Sequence, residues 1–228
     1  DYAFGHALER DTTKVVVANG GEVVGSVNVP FPATDFSSFL LQAQGSGANV
    51  IGLANAGGDT VNAIKQAAEF GITQAGQQLA ALLMFVTDVH ALGTQTAQGL
   101  NLTEAFYWDQ NDATRAWSAR FEKLHGSKPT MVQAGVYSGT MHYLRAIEAV
   151  GSTDSKKVIA SMKANGFDDP LFGKGYVRGD GRAIHDMYLF EVKKPSESTG
   201  EWDLYKQISV IKGEDAFLPM MPQCDFTK

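Results

Sequence analysis

The chain has 228 residues, a formal net charge of −6, 44% hydrophobic residues and a single cysteine. That length and apolar content suffice for one large or two small packed domains. The acidic balance, with no Lys/Arg cluster, speaks against nucleic acid as a partner, and no apolar run reaches the roughly 20 residues that a membrane-crossing helix needs.

The first element is an amphipathic helix carrying Phe4, Leu8 and Val15 and closed by Asn19-Gly20-Gly21. It begins almost at once after Asp1, so a βα unit reads as having lost its strand. The expectation is an N-terminally truncated chain. Residues 22–29 read as a strand. Thr34 or Asp35 then caps a helix with Phe36, Phe39, Leu40 and Ala43 on one face.

Residues 49–72 are the most informative stretch. Val50, Ile51, Leu53 and Ala54 form a short apolar run of strand type. Asn55-Ala56-Gly57-Gly58 turns tightly without side-chain bulk. Asp59 is placed to cap the next helix, which puts Ala63, Ile64, Ala67 and Ala68 on one face and stops at Gly71. In open α/β sheets, ligands sit where such turns leave the carboxyl ends of the strands, and a bare turn lets a ligand approach the main chain. Residues 79–86 read as the next strand, Thr87 or Asp88 opens a short helix ending near Gly93, and residues 100–108 read as a further strand. Alternating strands and helices predict an α/β fold: a mostly parallel sheet with helices on both faces.

Beyond Trp108 three helices follow without a strand between them. The first carries Ala113, Ala116, Trp117, Phe121 and Leu124. The second starts at Pro129-Thr130 and carries Tyr137, Met141, Leu144 and Ile147. The third starts at Asp154 or Ser155, with Val158, Ile159 and Met162 inward. Residues 173–177 and 184–192 then flank Arg178-Gly179-Asp180-Gly181-Arg182 as a hairpin, and residues 202–211 form a last strand. The helical block is expected to leave the domain of the sheet. Its stripes at Trp117, Phe121, Tyr137 and Met141 are expected to be exposed and to favour self-association.

Several motifs carry little. Arg178-Gly179-Asp180 spells an adhesion tripeptide, but its glycines mark a turn. Asn101-Leu102-Thr103 fits a glycosylation acceptor inside a strand pattern. Asp88 with His90, or His185 with Asp186, lacks a third ligand for a metal. Gly57-Gly58-Asp59 resembles a phosphate cradle without the rest of a dinucleotide or P-loop fingerprint. No nucleophile elbow occurs. Neither a cofactor nor a metal is expected. Cys224 is either a free thiol or half of a disulfide whose partner lay upstream.

The order of DYAFG and helix, strand, DFSSFLLQAQGSGANVIGLANAGGDTVNAIKQAAEFGI, strand, TDVHALG and NLTEAFYW resembles the type I periplasmic substrate-binding proteins. The similarity is greatest to the leucine/isoleucine/valine-binding family of ABC importers, and within it to a subgroup associated with aromatic acids. Tyr137-Ser138-Gly139, Phe172-Gly173-Lys174-Gly175 and Asp180-Gly181-Arg182 fit the later parts of that family. The resemblance implies two α/β lobes with a ligand in the cleft. Residues 1–108 would form the second-lobe core, 109–168 a helical segment of the incomplete first lobe, and 169–228 the return to the second lobe. It implies a periplasmic protein, not an enzyme, whose partners are a small ligand and ABC permease subunits. The site residues it implies are Tyr2, which would face the ligand; Asn55, Ala56 and Gly57, where a family tyrosine is replaced and the pocket widens; Thr87 and Asp88, near the carboxylate that holds an amino-acid ammonium; and Phe85 and His90, as neighbours. The ligand expected is an aromatic carboxylate or a hydrophobic amino acid. Two alternatives are an α/β enzyme of nucleotide-binding type and a sensory domain of the same fold.

Overall fold

The computed structural model describes residues 1–220. The chain divides into two compact units. One comprises Asp1–Thr103 with Phe190–Lys206; the other comprises Glu104–Leu189 with the described residues from Gln207 onward.

The first unit opens with α1 (Ala3–Ala18), whose C-terminus turns through Asn19 and the left-handed Gly20, φ 80°. None of its residues is buried. Residues 22–29, expected as a strand, form none, and Val23, Val24 and Val27 are exposed. A strand needs a neighbour's N–H and C=O groups; here the backbone tie is the Asp1 ammonium donating to the Val29 carbonyl. Helix α2 (Ser37–Gly45) starts one residue after Phe36, and the Asp35 carboxylate accepts the Ser37 N–H at 2.9 Å.

Strands β1 (Val50–Leu53), β2 (Gln78–Ala81) and β3 (Asn101–Glu104) pair in parallel, with Leu53 opposite Ala81 and Ala81 opposite Leu102. The connections are α3 (Gly58–Glu69), then α4 (Val86–Leu92) and the single turn α5 (Thr94–Ala97). The β2 strand is shorter than expected. Val86, read as its last residue, is a buried helix residue, because the Asp88 side chain takes the Phe85 N–H and starts α4 there. A second correction concerns Asp59. It does not cap α3: the N-cap is Gly57, at φ 59°, and no side chain caps the helix. Ala63, Ile64 and Ala67 of α3 are buried together with Ile51, Leu53 and Leu79 of the strands.

In the second unit α6 (Asp112–His125) is opened by a reciprocal cap between Asn111 and Thr114 and closed by the left-handed Gly126. Helix α7 (Met131–Val150) is opened by Thr130 with Gln133 and closed by Gly151, and α8 (Ser155–Ala164) is capped by Asp154. The expected exposed stripe is only partly so. Trp117 packs edge-on against Phe106 in a core with Ala134, Leu171 and Phe172, Phe121 and Met141 are half-buried, and Tyr137 is exposed, as are Val132, Val136, Tyr143 and Leu144 on α7.

Strands β4 (Phe167–Asp169), β5 (Gly173–Val177) and β6 (Ala183–Ile184) form an antiparallel sheet. The long strand expected at 184–192 breaks into β6 and β7 (Met187–Val192). At the break, Asp186 accepts the Gly213 N–H at 3.0 Å and pairs with Lys212 at 2.7 Å. With β8 (Tyr205–Ile211), β7 extends the larger sheet in the order β1-β2-β3-β7-β8. A last turn, α9 (Gly213–Ala216), follows. Between β5 and β6, Arg178 is held by both Asp180 oxygens and donates to the Leu218 carbonyl, so the tripeptide there is a closed turn. The glycosylation triplet lies in β3, with Leu102 buried. Cys224 lies outside the described residues. Among the described residues no helix is long and apolar enough to cross a membrane, and no cluster of three or more metal-binding side chains occurs.

Candidate functional site

All eight candidate residues fall in the first unit. Because β1 and β2 are parallel neighbours with Leu53 opposite Ala81, the turns that follow them leave the same edge of the sheet.

The first turn is built from Asn55, Ala56, Gly57 and Gly58. Gly57 takes a positive φ that a side chain would strain, and a Cβ on either glycine would meet open space. The Asn55 Oδ1 accepts the hydroxyl of the fully buried Thr60 at 2.7 Å, which fixes the turn to the first turn of α3. The start of α1 lies against this turn. A Cβ on Gly5 would sit 3.0 Å from the Ala54 carbonyl oxygen, so glycine lets the helix approach this closely without crowding. It brings Tyr2, the N-cap of α1, beside the turn. Partial burial, and secondarily the negative charge of Asp59, push the Tyr2 hydroxyl above its ordinary range. Asp59, no cap, accepts the Ala33 N–H at 3.4 Å and so ties the preceding loop to α3.

The second turn carries Phe85, Thr87 and Asp88, all half-buried. The Asp88 Oδ2 accepts the Phe85 N–H at 2.9 Å. Burial nevertheless raises the Asp88 carboxyl above the usual range, and the Phe85 N–H only partly offsets it. His90 is engaged elsewhere. Its Nε2 lies 2.9 Å from Glu201 Oε1, and its ring stacks on Trp202 with centroids 3.8 Å apart and planes 8° apart.

Sequence reasoning missed Phe31, Thr60, Glu201 and Trp202. Thr60 follows the glycine turn and was legible as a neighbour of Asn55. Trp202 and Glu201 sit in a polar connection whose fold depends on long-range contacts. A separate open groove of about 600 Å³ runs between α1 and residues 21–26, with Glu9 and Glu22 in its walls. It holds none of the eight candidates.

Parallel strands with ligand-accessible turns at their carboxyl edge define an α/β binding fold. The sequence profile of the periplasmic binding proteins matches residues 1–200, and the chain belongs to that family. Among solved structures, a periplasmic binding protein from Burkholderia mallei is 56% identical, with a TM-score of 0.91 over 100% of this chain and 60% of that one. A branched chain amino acid ABC transporter periplasmic ligand-binding protein from Burkholderia xenovorans is 41% identical, with a TM-score of 0.87 over 96% and 59%. An ABC transporter solute-binding protein from Rhodopseudomonas palustris, in complex with p-hydroxybenzoic acid, is 26% identical, with a TM-score of 0.80 over 93% and 58%. A Leu/Ile/Val-binding protein homologue from Brucella melitensis is 29% identical over 210 residues, 87% of this chain. The chain spans 53% of that relative, about half its length.

Proposed function

We propose that this chain belongs to an extracytoplasmic solute-binding component of an ABC importer. It takes a small organic acid, either an aromatic carboxylate or a hydrophobic amino acid, and passes it to permease subunits. It is periplasmic and not an enzyme. The observation that carries the reading is the bare Asn55–Gly58 turn at the carboxyl edge of a parallel sheet, with Tyr2 set against it. Phe85, Thr87 and Asp88 are the second contributing turn, and His90 supports it from behind. In this reading the residues before about 108 form the second-lobe core, 109–168 a first-lobe helical segment, and 169–228 the return.

The aromatic option has support in the relative that holds p-hydroxybenzoic acid, and the amino-acid option in the name of the xenovorans protein. Calorimetry of the purified chain against benzoate, 4-hydroxybenzoate, leucine, isoleucine and valine separates them. Because in this reading most of the first lobe's wall of the cleft is missing, weak binding at most is expected, lowered further by Tyr2→Ala. Sub-micromolar binding of any solute in the panel overturns the lobe division. Copies of the chain are also proposed to associate through the open face of α7.

A further inference from the structure

Phe31 is a large apolar residue left 54% exposed in a segment without regular secondary structure. Its ring stacks on Tyr2 with centroids 4.4 Å apart and planes 14° apart, and Tyr2 in turn meets Phe4 at 5.8 Å. The segment that carries Phe31 is pinned to α3 three times. Ala33 N–H donates to Asp59, Phe36 N–H donates to Gln66 Oε1 at 2.7 Å, and Gln66 Nε2 donates to the Thr34 carbonyl at 2.9 Å. A fixed aromatic ledge therefore stands beside the bare Gly57-Gly58 turn, one ring face covered by Tyr2 and the rest open.

We infer that Tyr2 and Phe31 form the ring-recognising wall of the solute site, and that Phe31 makes the site select a planar aromatic acid over an aliphatic amino acid. This rests on the solute-binding function proposed above. A flat ring gains from an aligned aromatic face what a branched aliphatic chain does not, a contribution on the order of a three- to tenfold change in affinity. Charge gives the ligand its orientation. Asp59 lies close enough to raise the Tyr2 hydroxyl, so it repels a solute carboxylate, and the ring rather than the carboxylate lies over the ledge.

The test titrates the ¹⁵N-labelled chain with 4-hydroxybenzoate and, separately, with L-leucine, following amide shifts in wild type, Phe31→Leu and Phe31→Tyr. The expected result is that 4-hydroxybenzoate moves the amides of Phe31, Gly57 and Gly58. Phe31→Leu weakens 4-hydroxybenzoate by about three- to tenfold and leaves leucine unchanged, and Phe31→Tyr restores wild-type affinity. Unchanged 4-hydroxybenzoate affinity in a folded Phe31→Leu overturns the ledge while leaving the solute-binding function standing. Equal loss for both solutes overturns ring selection. Absence of shifts at Phe31, Gly57 and Gly58 while 4-hydroxybenzoate at millimolar concentration moves other amides overturns the ledge alone.

Discussion

The hydroxyl of Thr60 is wholly buried and its recorded partner is Asn55 Oδ1 at 2.7 Å. Removing a partner from a buried polar group costs about 1–3 kcal/mol, whereas removing both groups together is nearly neutral. Asn55→Ala should therefore lower stability in urea by about that amount, and Thr60→Val added to it should recover most of the loss. Additive losses in the double variant would break the link between the turn and α3. Two carboxylates give opposite acid responses. Arg178 holds the Asp180 carboxyl down at about 2. Its stabilisation is complete above the ordinary carboxylate range and is lost as pH falls through about 2. The Asp88 carboxyl is raised by burial, so its contribution is present below the ordinary range and is lost as pH rises through its raised value. In acid unfolding curves, Asp180→Asn should flatten the loss of stability below pH about 4, and Asp88→Asn should steepen the acid limb slightly by removing a group that gains on protonation. The reverse pattern would contradict both assignments.

At the level of elements, two glycine positions should respond in opposite directions. A Cβ on Gly175 of β5 would lie 2.3 Å from the Phe167 ring and 2.4 Å from the Ile184 carbonyl oxygen. The Ile184 backbone cannot retreat and the Phe167 ring would have to move as well, so Gly175→Ala should cost about 1–3 kcal/mol or more. Gly135 and Gly139 of α7 face open space, and their replacement by alanine should add up to about 1 kcal/mol each. Thermal melts of the three variants check both claims. Much of this scale was legible in the sequence. The starts at Thr130 and Asp154 and the stops at Gly71 and Gly93 obey local rules and were read directly, whereas the start of α3 was misassigned to Asp59 and the Asn111 cap and Gly126 stop of α6 were not read. What local rules missed depends on distant partners. Residues 22–29 have strand composition but no ladder. Residues 184–192 have unbroken strand composition but are split by Asp186, whose partners Lys212 and Gly213 lie far along the chain. At the site, the bare turn was readable from its glycines, while Phe31 and the partners of His90 were not, because only the folded chain brings them beside Tyr2 and α4.

For the whole molecule, the exposed Val132, Val136, Tyr137, Tyr143 and Leu144 lie on a single 20-residue helix, with Val136 66% exposed. Exposed apolar residues gathered on one element favour association. Light scattering of the chain should therefore show a mass that rises with concentration, and Val136→Glu should return it to the monomer. A constant monomeric mass at high concentration would show that this face stays solvated.

The stack of His90 on Trp202 has an optical consequence. The chain has three tryptophans: Trp117 is buried, Trp108 lies under the Lys128 ammonium, and Trp202 has an imidazole flat against it. The emission of an indole depends on what lies against its face, and here that is the His90 ring. Any solute or solvent change that swings α4 off the 194–204 connection would therefore alter the emission of this one residue, giving the molecule a built-in reporter of motion behind its second turn.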